Sequence, residues 1–275
     1  MPLESGLEEL YAALRWASRP GDPRAERRFI AIYVFMKSLA ESGVFNDVVT
    51  GGRVKILDVM AASGIGGSAL ARVFVERGCS AELYVTDLRA EELGLAPHWL
   101  SGLKVEVKTA VADATKLPEV FPGEKFDVVL AWGSSMAHLD VFQLPLLMAG
   151  AREIQPPAGI LMIQQRDILP AVLFNNAYRH VRLEGDLLSI HKEHDWLRGI
   201  VVRYGYKMPE LKYIGMYATR LWEVAQIVSY AWIFYKDVFV YDFVDPIAGP
   251  SKVVIARKPR ESAPAWRELL ESLPT

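Results

Sequence analysis

The chain has 275 residues, of which 51% are hydrophobic, and its 31 basic and 33 acidic side chains nearly cancel to a formal charge of −2. Nucleic-acid binders usually carry a basic excess that meets phosphates, so this balance argues against a nucleic-acid partner. The single cysteine, Cys79, excludes an intramolecular disulfide and a cysteine metal cluster. With neither a secretory signal nor an apolar run of about 20 residues, we expect a cytoplasmic protein without a membrane partner.

Two helices are predicted before the first strand, over residues 7–18 and 24–41. The segment 19–23 separates them, because its two prolines and one glycine break helices. The second helix has apolar residues at three- and four-residue spacings, so one of its faces should pack on the rest of the chain. We therefore expect an N-terminal helical cap over residues 1–48.

From residue 54 onward, short apolar runs alternate with amphipathic segments, which is typical of βαβ units and a parallel sheet. Continuous apolar strands of this kind suit a sheet that helices cover on both faces. The helix predicted over residues 66–77 places Leu70, Val73 and Phe74 on one face. Strands are predicted at 54–59, 83–86, 105–107, 126–132 and 160–163.

After residue 163 the pattern changes to strands separated by tight turns, at 178–184, 187–194 and 199–206. Helical spacing returns around Leu221 and Val224, and two last strands are predicted at 233–243 and 252–257. The length suits one core domain that carries an insertion. We expect the core to comprise residues 49–164 and 219–275, and an antiparallel insertion at 165–218 to form a substrate lid.

The segment 61–67, Ala-Ala-Ser-Gly-Ile-Gly-Gly, follows the first strand and leads directly into a helix. Small residues let a ligand approach the backbone, and a helix N-terminus offers free N–H groups. A tight turn with close helix packing would explain the same residues. Residues 64–69 also satisfy the dinucleotide pattern G-x-G-x-x-G/A, so an NAD(P)-dependent oxidoreductase is one alternative.

Three acidic residues lie at or near the predicted strand ends. Asp87, at the end of the second strand, could accept hydrogen bonds from ribose hydroxyls of either NAD or S-adenosylmethionine. Asp58 at the end of the first strand and Asp113 after the third favour S-adenosylmethionine. Asp113 could accept from an adenine amino group or could simply cap a turn.

At these residues the sequence resembles the class I S-adenosylmethionine-dependent methyltransferases, whose first motif is Asp-x-Gly-x-Gly-x-Gly. Residues 58–64 read Asp-Val-Met-Ala-Ala-Ser-Gly, so Met60 and Ala62 replace two glycines. A more specific likeness, to glycine N-methyltransferase and its small-molecule relatives, lies in residues 132–139, Trp-Gly-Ser-Ser-Met-Ala-His-Leu. That family has Gly-Asn-Ser-Phe-Ala-His-Leu there, beside the methionine end of the cofactor and the substrate.

The resemblance implies an α/β fold with a Rossmann-like seven-stranded, mostly parallel sheet, helices on both faces, N-terminal helices and an antiparallel β insertion after the fifth strand. It implies S-adenosyl-L-methionine as cofactor and methyl transfer to a small-molecule nucleophile, expected to be an amine. No metal site is expected. The residues expected to hold the cofactor are Asp58, Met60, Ala61, Ala62, Gly64, Asp87, Leu88, Asp113, Ala114, Trp132 and Gly133.

The same resemblance implies catalytic positions at His138, Arg166 and Tyr217, with Trp132 also bordering the reactive centre. Arg166 and His138 should point into one pocket, because each follows the carboxyl end of an adjacent strand. Such a pocket would suit a substrate that bears a carboxylate and an amine. One N-terminal arginine, Arg24, Arg27 or Arg28, should reach the cofactor carboxylate.

Other functions stay open on the sequence alone. Base-methylating enzymes that act on nucleic-acid amino groups usually carry an Asn/Asp-Pro-Pro-aromatic segment where residues 132–135 stand here. A protein or RNA methyltransferase of unusual type is one alternative. A sensor that binds S-adenosylmethionine without catalysis is another. Ser134 replaces the family's asparagine that helps bind the substrate carboxylate, so glycine itself is not the favoured substrate.

Overall fold

The computed structural model describes residues 7–14, 16–49, 51–169 and 179–274. Its helices are α1 (Leu7–Leu14), α2 (Pro23–Glu41), α3 (Ile65–Glu76), α4 (Ala90–Leu93), α5 (Leu117–Val120), α6 (Gln143–Glu153), α7 (Val224–Phe234) and α8 (Trp266–Glu271), with short 3-10 turns at Ala96–Leu100, Ala114–Lys116 and Ser135–His138. Its strands are β1 (Arg53–Asp58), β2 (Ser80–Asp87), β3 (Val105–Val111), β4 (Val128–Ala131), β5 (Ile160–Gln165), β6 (Val181–Glu184), β7 (Leu187–Asp195), β8 (Ile200–Lys207), β9 (Lys212–Arg220), β10 (Tyr235–Asp245) and β11 (Gly249–Pro259).

The main sheet has seven strands in the order β10-β11-β5-β4-β1-β2-β3. Strand β11 runs antiparallel to both of its neighbours, and the pairings among the five strands from β5 to β3 in this order are parallel. The expected α/β fold with a mostly parallel seven-stranded sheet is thereby confirmed. The strand order reverses at β1, which pairs with β2 on one side and β4 on the other. Ligands of open α/β sheets bind outside the carboxyl ends of the strands at such a switch point.

Helices cover both faces of this sheet, as its apolar strands require. Ile56 of β1 belongs to the core shared with α2 and α3, and its neighbour Leu57 belongs to the core shared with α6, α7 and α8. Both side chains are fully buried. The alternation explains why the strand reads as a continuous apolar run.

The first helix is shorter than the prediction over residues 7–18, because the backbone after α1 bonds to side chains elsewhere. The carbonyl of Ala17 accepts from Arg28 Nη1 at 2.6 Å, and that of Ser18 accepts from the Ser63 hydroxyl. Asp22 then starts α2 by accepting from the Arg24 N–H at 2.8 Å. The linker between the helices is thus fastened to the core.

The antiparallel sheet has four strands, β6-β7-β8-β9. Three strands were predicted, and β9 (Lys212–Arg220) was missed. Gly215 and an irregularity in the β8–β9 register interrupt its alternation. The predicted strand at 178–184 is seen from Val181, and Tyr178 lies outside the described residues.

This second sheet is attached to the main sheet near the carboxyl end of β4. Arg198, in the β7–β8 turn, donates to the buried Asp140 carboxylate at 2.8 Å. The indole of Trp222, just after β9, donates to the carbonyls of Met136 and Leu139 at 2.8 and 3.1 Å. These bonds place the antiparallel strands beside the edge of the sheet where ligands of this fold class bind.

Helix α1 lies between the two sheets. Leu10 and Ala13 pack against Leu187 of β7, and Tyr11 reaches the turn after β4. Among the described helices, none is both long and apolar enough to cross a bilayer.

Candidate active site

The loop after β1 holds its backbone in the left-handed region at the three motif positions. The φ angles are 54° at Met60, 49° at Ala62 and 72° at Gly64. Glycine adopts this conformation without penalty, whereas each side-chain-bearing residue in a sparsely populated region costs about 1–3 kcal/mol. The loop therefore keeps the shape of a glycine motif although two of the glycines are absent.

Contacts with β2 and α3 fix this loop. The N–H of Ala62 donates to Asp87 Oδ2 at 2.7 Å, and the N–H of Gly67 donates to Asp58 Oδ2 at 2.6 Å. A Cβ on Gly67 would lie 2.8 Å from the Asp58 Cβ, and one on Gly66 would lie 2.7 Å from the Trp132 Cβ. Both glycines thus allow α3 to approach the strands closely, which explains the glycine pair at its first turn.

Asp58 is buried, and its Oδ1 has no hydrogen-bond partner among the described residues. Burial raises the pKa of this carboxyl to about 8, and the Asp87 charge adds to that effect while the Gly67 N–H opposes it. A buried polar atom without a partner costs roughly 1–3 kcal/mol. A polar group of a ligand against the loop would remove that cost.

Asp87 ends β2 beside the loop, where a ribose-binding acid was expected. Its Oδ1 already accepts from the N–H and the Nε of Arg89, at 3.0 and 3.1 Å. The Arg89 guanidinium in turn lies 4.3 Å from the centre of the Tyr11 ring. A ribose diol at Asp87 must therefore share the carboxylate with Arg89 or replace it.

The residues expected around adenine lie at the ends of β2 and β3. Leu88 is 48% exposed and Ala114 is buried. Asp113 accepts from the Thr115 N–H at 2.8 Å and from the Thr115 hydroxyl at 2.7 Å, both through Oδ1. Its carboxylate caps the following 3-10 turn, the structural role that the sequence left open.

The turn after β4 is also left-handed, with φ angles of 95° at Gly133 and 60° at Ser134. The N–H groups of both residues donate to Gln164 Oε1, at 2.8 and 2.9 Å. Gln164 is buried in β5, so it ties this turn to the neighbouring strand. The backbone at Gly133 is thereby held rigidly at the switch point.

Trp132 does not border a reactive centre as expected, because its side chain packs in the core. Its ring contacts Phe35 and Phe243, with centroid distances of 6.0 and 5.2 Å. Trp132 fits there because Gly66 has no side chain that would clash with the Trp132 Cβ. Only the backbone of Trp132 reaches the turn, where its carbonyl accepts from the Ser135 hydroxyl at 2.8 Å.

A hydrogen bond joins the Tyr11 hydroxyl to His138 Nε2, and the ring centroids are 5.8 Å apart. Burial raises the pKa of Tyr11 to about 12 and lowers the pKa of His138. Near neutral pH the tyrosine therefore keeps its proton and the imidazole is uncharged, and the hydroxyl donates to Nε2 in the tautomer whose proton is on Nδ1. Sequence reasoning singled out His138 and missed Tyr11.

Tyr11 and Arg89 also border a cleft of about 460 Å³ between the α1–α2 linker and the segment after β2. Its wall includes Trp16, Arg19 and Glu92 as well. The volume lies in the range of small-molecule sites, roughly 300–1,000 Å³. Asp87 and His138 do not line the cleft, but Asp87 is bonded to Arg89 and His138 to Tyr11, which do.

The expectation that Arg166 shares a pocket with His138 is corrected. The Arg166 side chain is exposed, and its guanidinium makes no hydrogen bond or ion pair with any residue in the described ranges. The backbone explains this orientation, because the Arg166 N–H is fixed to the Ser134 hydroxyl at 3.1 Å as the chain leaves β5. The ends of β4 and β5 thus bring the backbone at Ser134 and Arg166 together, but the Arg166 side chain points away from the site.

Tyr217 lies within β9, paired with Arg203, rather than just before a helix. It packs on the cluster formed by Leu10, Ala13 and Leu187, and burial raises its pKa. Its position supports α1, so it contributes to the site through the helix that carries Tyr11.

Among the three candidate arginines, Arg28 is the one that reaches the β4 turn. Its side chain is 1% exposed, and its Nε donates to Asp245 Oδ2 at 2.8 Å. A Cβ on Gly133 would lie 3.9 Å from Arg28 Nη2, which hydrogen-bonds no atom in the part of the chain that the structure describes. Arg27 is exposed and Arg24 pairs with Asp22.

Part of the chain is similar in sequence to known methyltransferases. Residues 56–159 match the family model described as a methyltransferase domain. A ubiquinone/menaquinone biosynthesis C-methyltransferase from Bordetella parapertussis is 29% identical over 161 residues, which cover 51% of this chain and 58% of that protein. The chain thus spans little more than half the length of this curated relative.

Solved structures share the fold. An S-adenosylmethionine-dependent methyltransferase from Clostridium acetobutylicum superposes with a TM-score of 0.55 at 12% identity, over 82% of this chain and 91% of that one. A sugar N-methyltransferase from Streptoalloteichus sp. ATCC 53650 superposes with a TM-score of 0.52 at 15% identity, over 91% and 92% of the two chains. Residues 56–159 therefore form a methyltransferase domain, and the strand order and the left-handed loop after β1 belong to the Rossmann-like fold that the chain shares with S-adenosylmethionine-dependent methyltransferases.

Proposed function

We propose that this protein transfers a methyl group from S-adenosylmethionine to the nitrogen of a small-molecule amine. The observation that carries the proposal is the Tyr11–His138 hydrogen bond at the carboxyl edge of the sheet, beside Asp87 and Arg89. An amine must lose its proton before it can attack a methyl group, and a neutral histidine with a protonated tyrosine can take that proton. The sugar N-methyltransferase with the same fold is compatible with this choice.

The residues at the switch point fit the cofactor. The left-handed loop at Met60–Gly64, through its backbone, and the unpartnered Asp58 Oδ1 would hold the methionine portion. Arg28 Nη2 would meet the methionine carboxylate near Gly133, because guanidinium groups bind carboxylates strongly. Around the nucleoside, Asp87 would bind the ribose, and Leu88, Asp113 and Ala114 would surround the adenine.

When bound, S-adenosylmethionine supplies an electrophilic methyl group on a sulfonium. The protein's part is to align the nucleophile with that methyl group and to manage one proton. As the substrate ammonium releases its proton to the Tyr11 oxygen, the tyrosine proton passes to His138 Nε2. The Asp87 charge favours the resulting imidazolium, since it acts to raise the pKa of His138.

We further propose that the N-terminal helices, within residues 1–48, and the insertion at 165–218 cover the reacting groups. Two contacts support this role: Arg198 donates to Asp140, and α1 packs against Leu187 of the antiparallel sheet. Excluding water strengthens the electrostatic interactions inside the site. The core domain would then comprise residues 49–164 and 219–275.

Carbon methylation of a quinol is the second candidate, because the Bordetella relative is a C-methyltransferase of quinone biosynthesis. A phenolic hydroxyl also gives up a proton as its ring is methylated, so the same Tyr11–His138 pair could serve. The two candidates differ in the atom that receives the methyl group.

The experiment is to incubate the purified protein with methyl-labelled S-adenosylmethionine and two panels, small amines and quinols, and to locate the label by mass spectrometry. Label on nitrogen supports the proposal, and label on ring carbon supports the second candidate. Thermal-shift measurements with S-adenosylmethionine and NADH serve as the control for the cofactor. A shift with NADH and none with S-adenosylmethionine would overturn both candidates.

A further inference from the structure

The antiparallel sheet has an outer face made of apolar and tyrosine side chains. Alternate residues of a strand share a face, and directly paired residues of neighbouring strands point to the same side. The register pairs Leu183 with Leu188, Leu188 with Tyr206, and Tyr206 with Tyr213, so one face runs across all four strands. We call this the outer face, and its members are Val181, Leu183, Leu188, Ile190, Val202, Tyr204, Tyr206, Tyr213, Met216 and Ala218.

The opposite face of the same sheet is the one that packs on the protein. Leu187, Ser189 and Arg203 on that side are 2%, 3% and 7% exposed. By contrast, Val181 and Leu183 of the outer face are 55% and 60% exposed. An antiparallel sheet with one solvated face normally carries polar residues there. This sheet instead carries apolar and tyrosine side chains on its solvated face, as a face covered by a partner would.

The outer face is large enough for a stable contact. Four of its members, Val181, Leu183, Tyr213 and Met216, are 36–60% exposed, and the other six are partly exposed. Together they present on the order of 600 Å² of surface, the upper end for the largest apolar patch of a monomer. A standard protein interface buries about 800 Å² on each partner. The patch with its rim therefore matches one side of such an interface.

We propose that the outer face is the interface of a homodimer, packed against the same face of a second copy. Two sheets pack face to face about 10 Å apart, and a two-fold axis brings identical faces together. The three tyrosines suit a protein partner, because tyrosine is enriched at protein interfaces. Tyr213 lies 5.4 Å from the Tyr206 ring and 6.4 Å from the Tyr204 ring, centre to centre.

A lipid surface fits the outer face less well. Peripheral binding to membranes combines apolar burial with lysines and arginines that meet anionic headgroups. None of the ten members is basic, and the charges at the border of the face form a pair, because Lys192 Nζ lies 2.6 Å from Oε1 of Glu193, the residue opposite Val202.

Sedimentation velocity of the full chain at micromolar concentrations tests the proposal. We expect a species of twice the 30.8 kDa chain mass that dissociates on dilution. The double variant Leu183→Glu/Met216→Glu should raise the dimer Kd by at least about thirtyfold, because the two-fold axis brings like charges together. Unchanged S-adenosylmethionine binding and circular dichroism would show that the variant folds.

The matched control is Ile30→Glu/Val34→Glu, since these α2 residues are 59% and 57% exposed and lie outside the outer face. It should leave the dimer intact. Should the double variant fail to fold, hydrogen exchange of the wild type at two concentrations replaces it, with concentration-dependent protection expected in β6 and β9. A monomeric wild type, a dimer that survives the outer-face charges, or binding to phosphatidylserine vesicles that only those charges abolish would overturn the homodimer.

Discussion

The Tyr11 hydroxyl and His138 Nε2 share a hydrogen bond, so the first helix and the turn after β4 meet across 127 residues of sequence. The contact brings a protonated tyrosine and an uncharged histidine to the edge of the sheet where Asp87 and Arg89 lie. It gives the proposed amine methylation a path for the proton that the substrate must lose.

Removing the hydroxyl should slow turnover without weakening the cofactor. We expect Tyr11→Phe to lower kcat about 100-fold, in the usual range for proton transfer by a positioned side chain. S-adenosylmethionine affinity, measured by calorimetry, should stay within about threefold, a difference below 1 kcal/mol. His138→Gln should lower kcat similarly, and the Tyr11→Phe/His138→Gln double variant should lose little more, because the two residues act as one unit.

Tyr241→Phe is the matched control, since this partly buried tyrosine of β10 packs on the α2 side of the sheet. Its kcat should equal that of the wild type. Full activity of Tyr11→Phe on an amine would remove the pair from the mechanism.

The ribose assignment rests on Asp87. We expect Asp87→Ala to weaken S-adenosylmethionine binding more than tenfold, about 1.4 kcal/mol or more, because charge-assisted bonds to the ribose are lost. Asp87→Asn should lose less, since an amide oxygen can still accept from the Ala62 N–H that now binds Oδ2. Asp242→Ala, at a carboxylate that is 85% exposed, is the control. Calorimetry that shows unchanged affinity for Asp87→Ala would contradict the assignment.

The left-handed loop predicts a stability gain. Ala62 has a φ of 49°, so Ala62→Gly should raise the free energy of unfolding by about 1 kcal/mol, provided that the loop keeps its shape. Ala61 lacks a positive φ, and Ala61→Gly should instead lower stability, because glycine gains freedom in the unfolded chain. Urea denaturation of both variants measures the difference. A loss for Ala62→Gly as large as that for Ala61→Gly would contradict a strained loop.

Asp58 predicts a pH dependence of stability in the ligand-free protein. Its folded-state pKa, raised to about 8, lies above the ordinary value of 3.8, so the native state binds the proton more tightly than the unfolded state does. The contribution of Asp58 to stability is therefore fully present below about pH 4 and is lost as the pH rises toward 8, by at most about 1.4 kcal/mol per pH unit. Asp58→Asn keeps an acceptor for the Gly67 N–H and cannot ionise.

Urea denaturation at about pH 5 and about pH 8 checks this sign. The stability of Asp58→Asn relative to the wild type should increase between the two values. A difference that stays constant with pH would show that Asp58 is ionised throughout.

The buried Arg28–Asp245 ion pair predicts that replacing Arg28 lowers both the stability of the fold and the affinity for S-adenosylmethionine. Both side chains are 1% exposed, so Arg28→Met leaves an uncompensated buried carboxylate and should cost about 3–5 kcal/mol of stability. Arg28→Met/Asp245→Asn should recover part of that loss in thermal unfolding, yet it should still bind S-adenosylmethionine weakly. Wild-type affinity in the double variant would separate Arg28 from the cofactor carboxylate.

Local sequence patterns predicted the main sheet well. Strands such as β1 and β4 are buried on both faces, so their apolar runs stand out from the amphipathic helices. The loop at Met60–Gly64 was found through Asp58 and Gly64, although side chains occupy two of the left-handed positions. These features depend on residues that are close together in sequence.

Other features depend on contacts between distant segments, which one sequence does not reveal. Tyr11 lies in a short helix without a motif, and its role follows only from the position of His138. Arg166 follows a strand end as predicted, but the bond from its N–H to Ser134 determines where its side chain goes. Trp132 was predicted to border the site. Its side chain packs in the core instead, where the absence of a Cβ at Gly66 leaves room for it.

Single-turnover methyl transfer from labelled S-adenosylmethionine to an amine, followed across pH for the wild type and Tyr11→Phe, tests the proposed N-methylation and its proton path most directly. We expect label on nitrogen, and a wild-type rate that rises with pH until His138 is neutral. For Tyr11→Phe we expect a slow rate at every pH below the pKa of the amine. Label on carbon, or a wild-type rate that Tyr11→Phe matches across the whole pH range, would contradict this proposal.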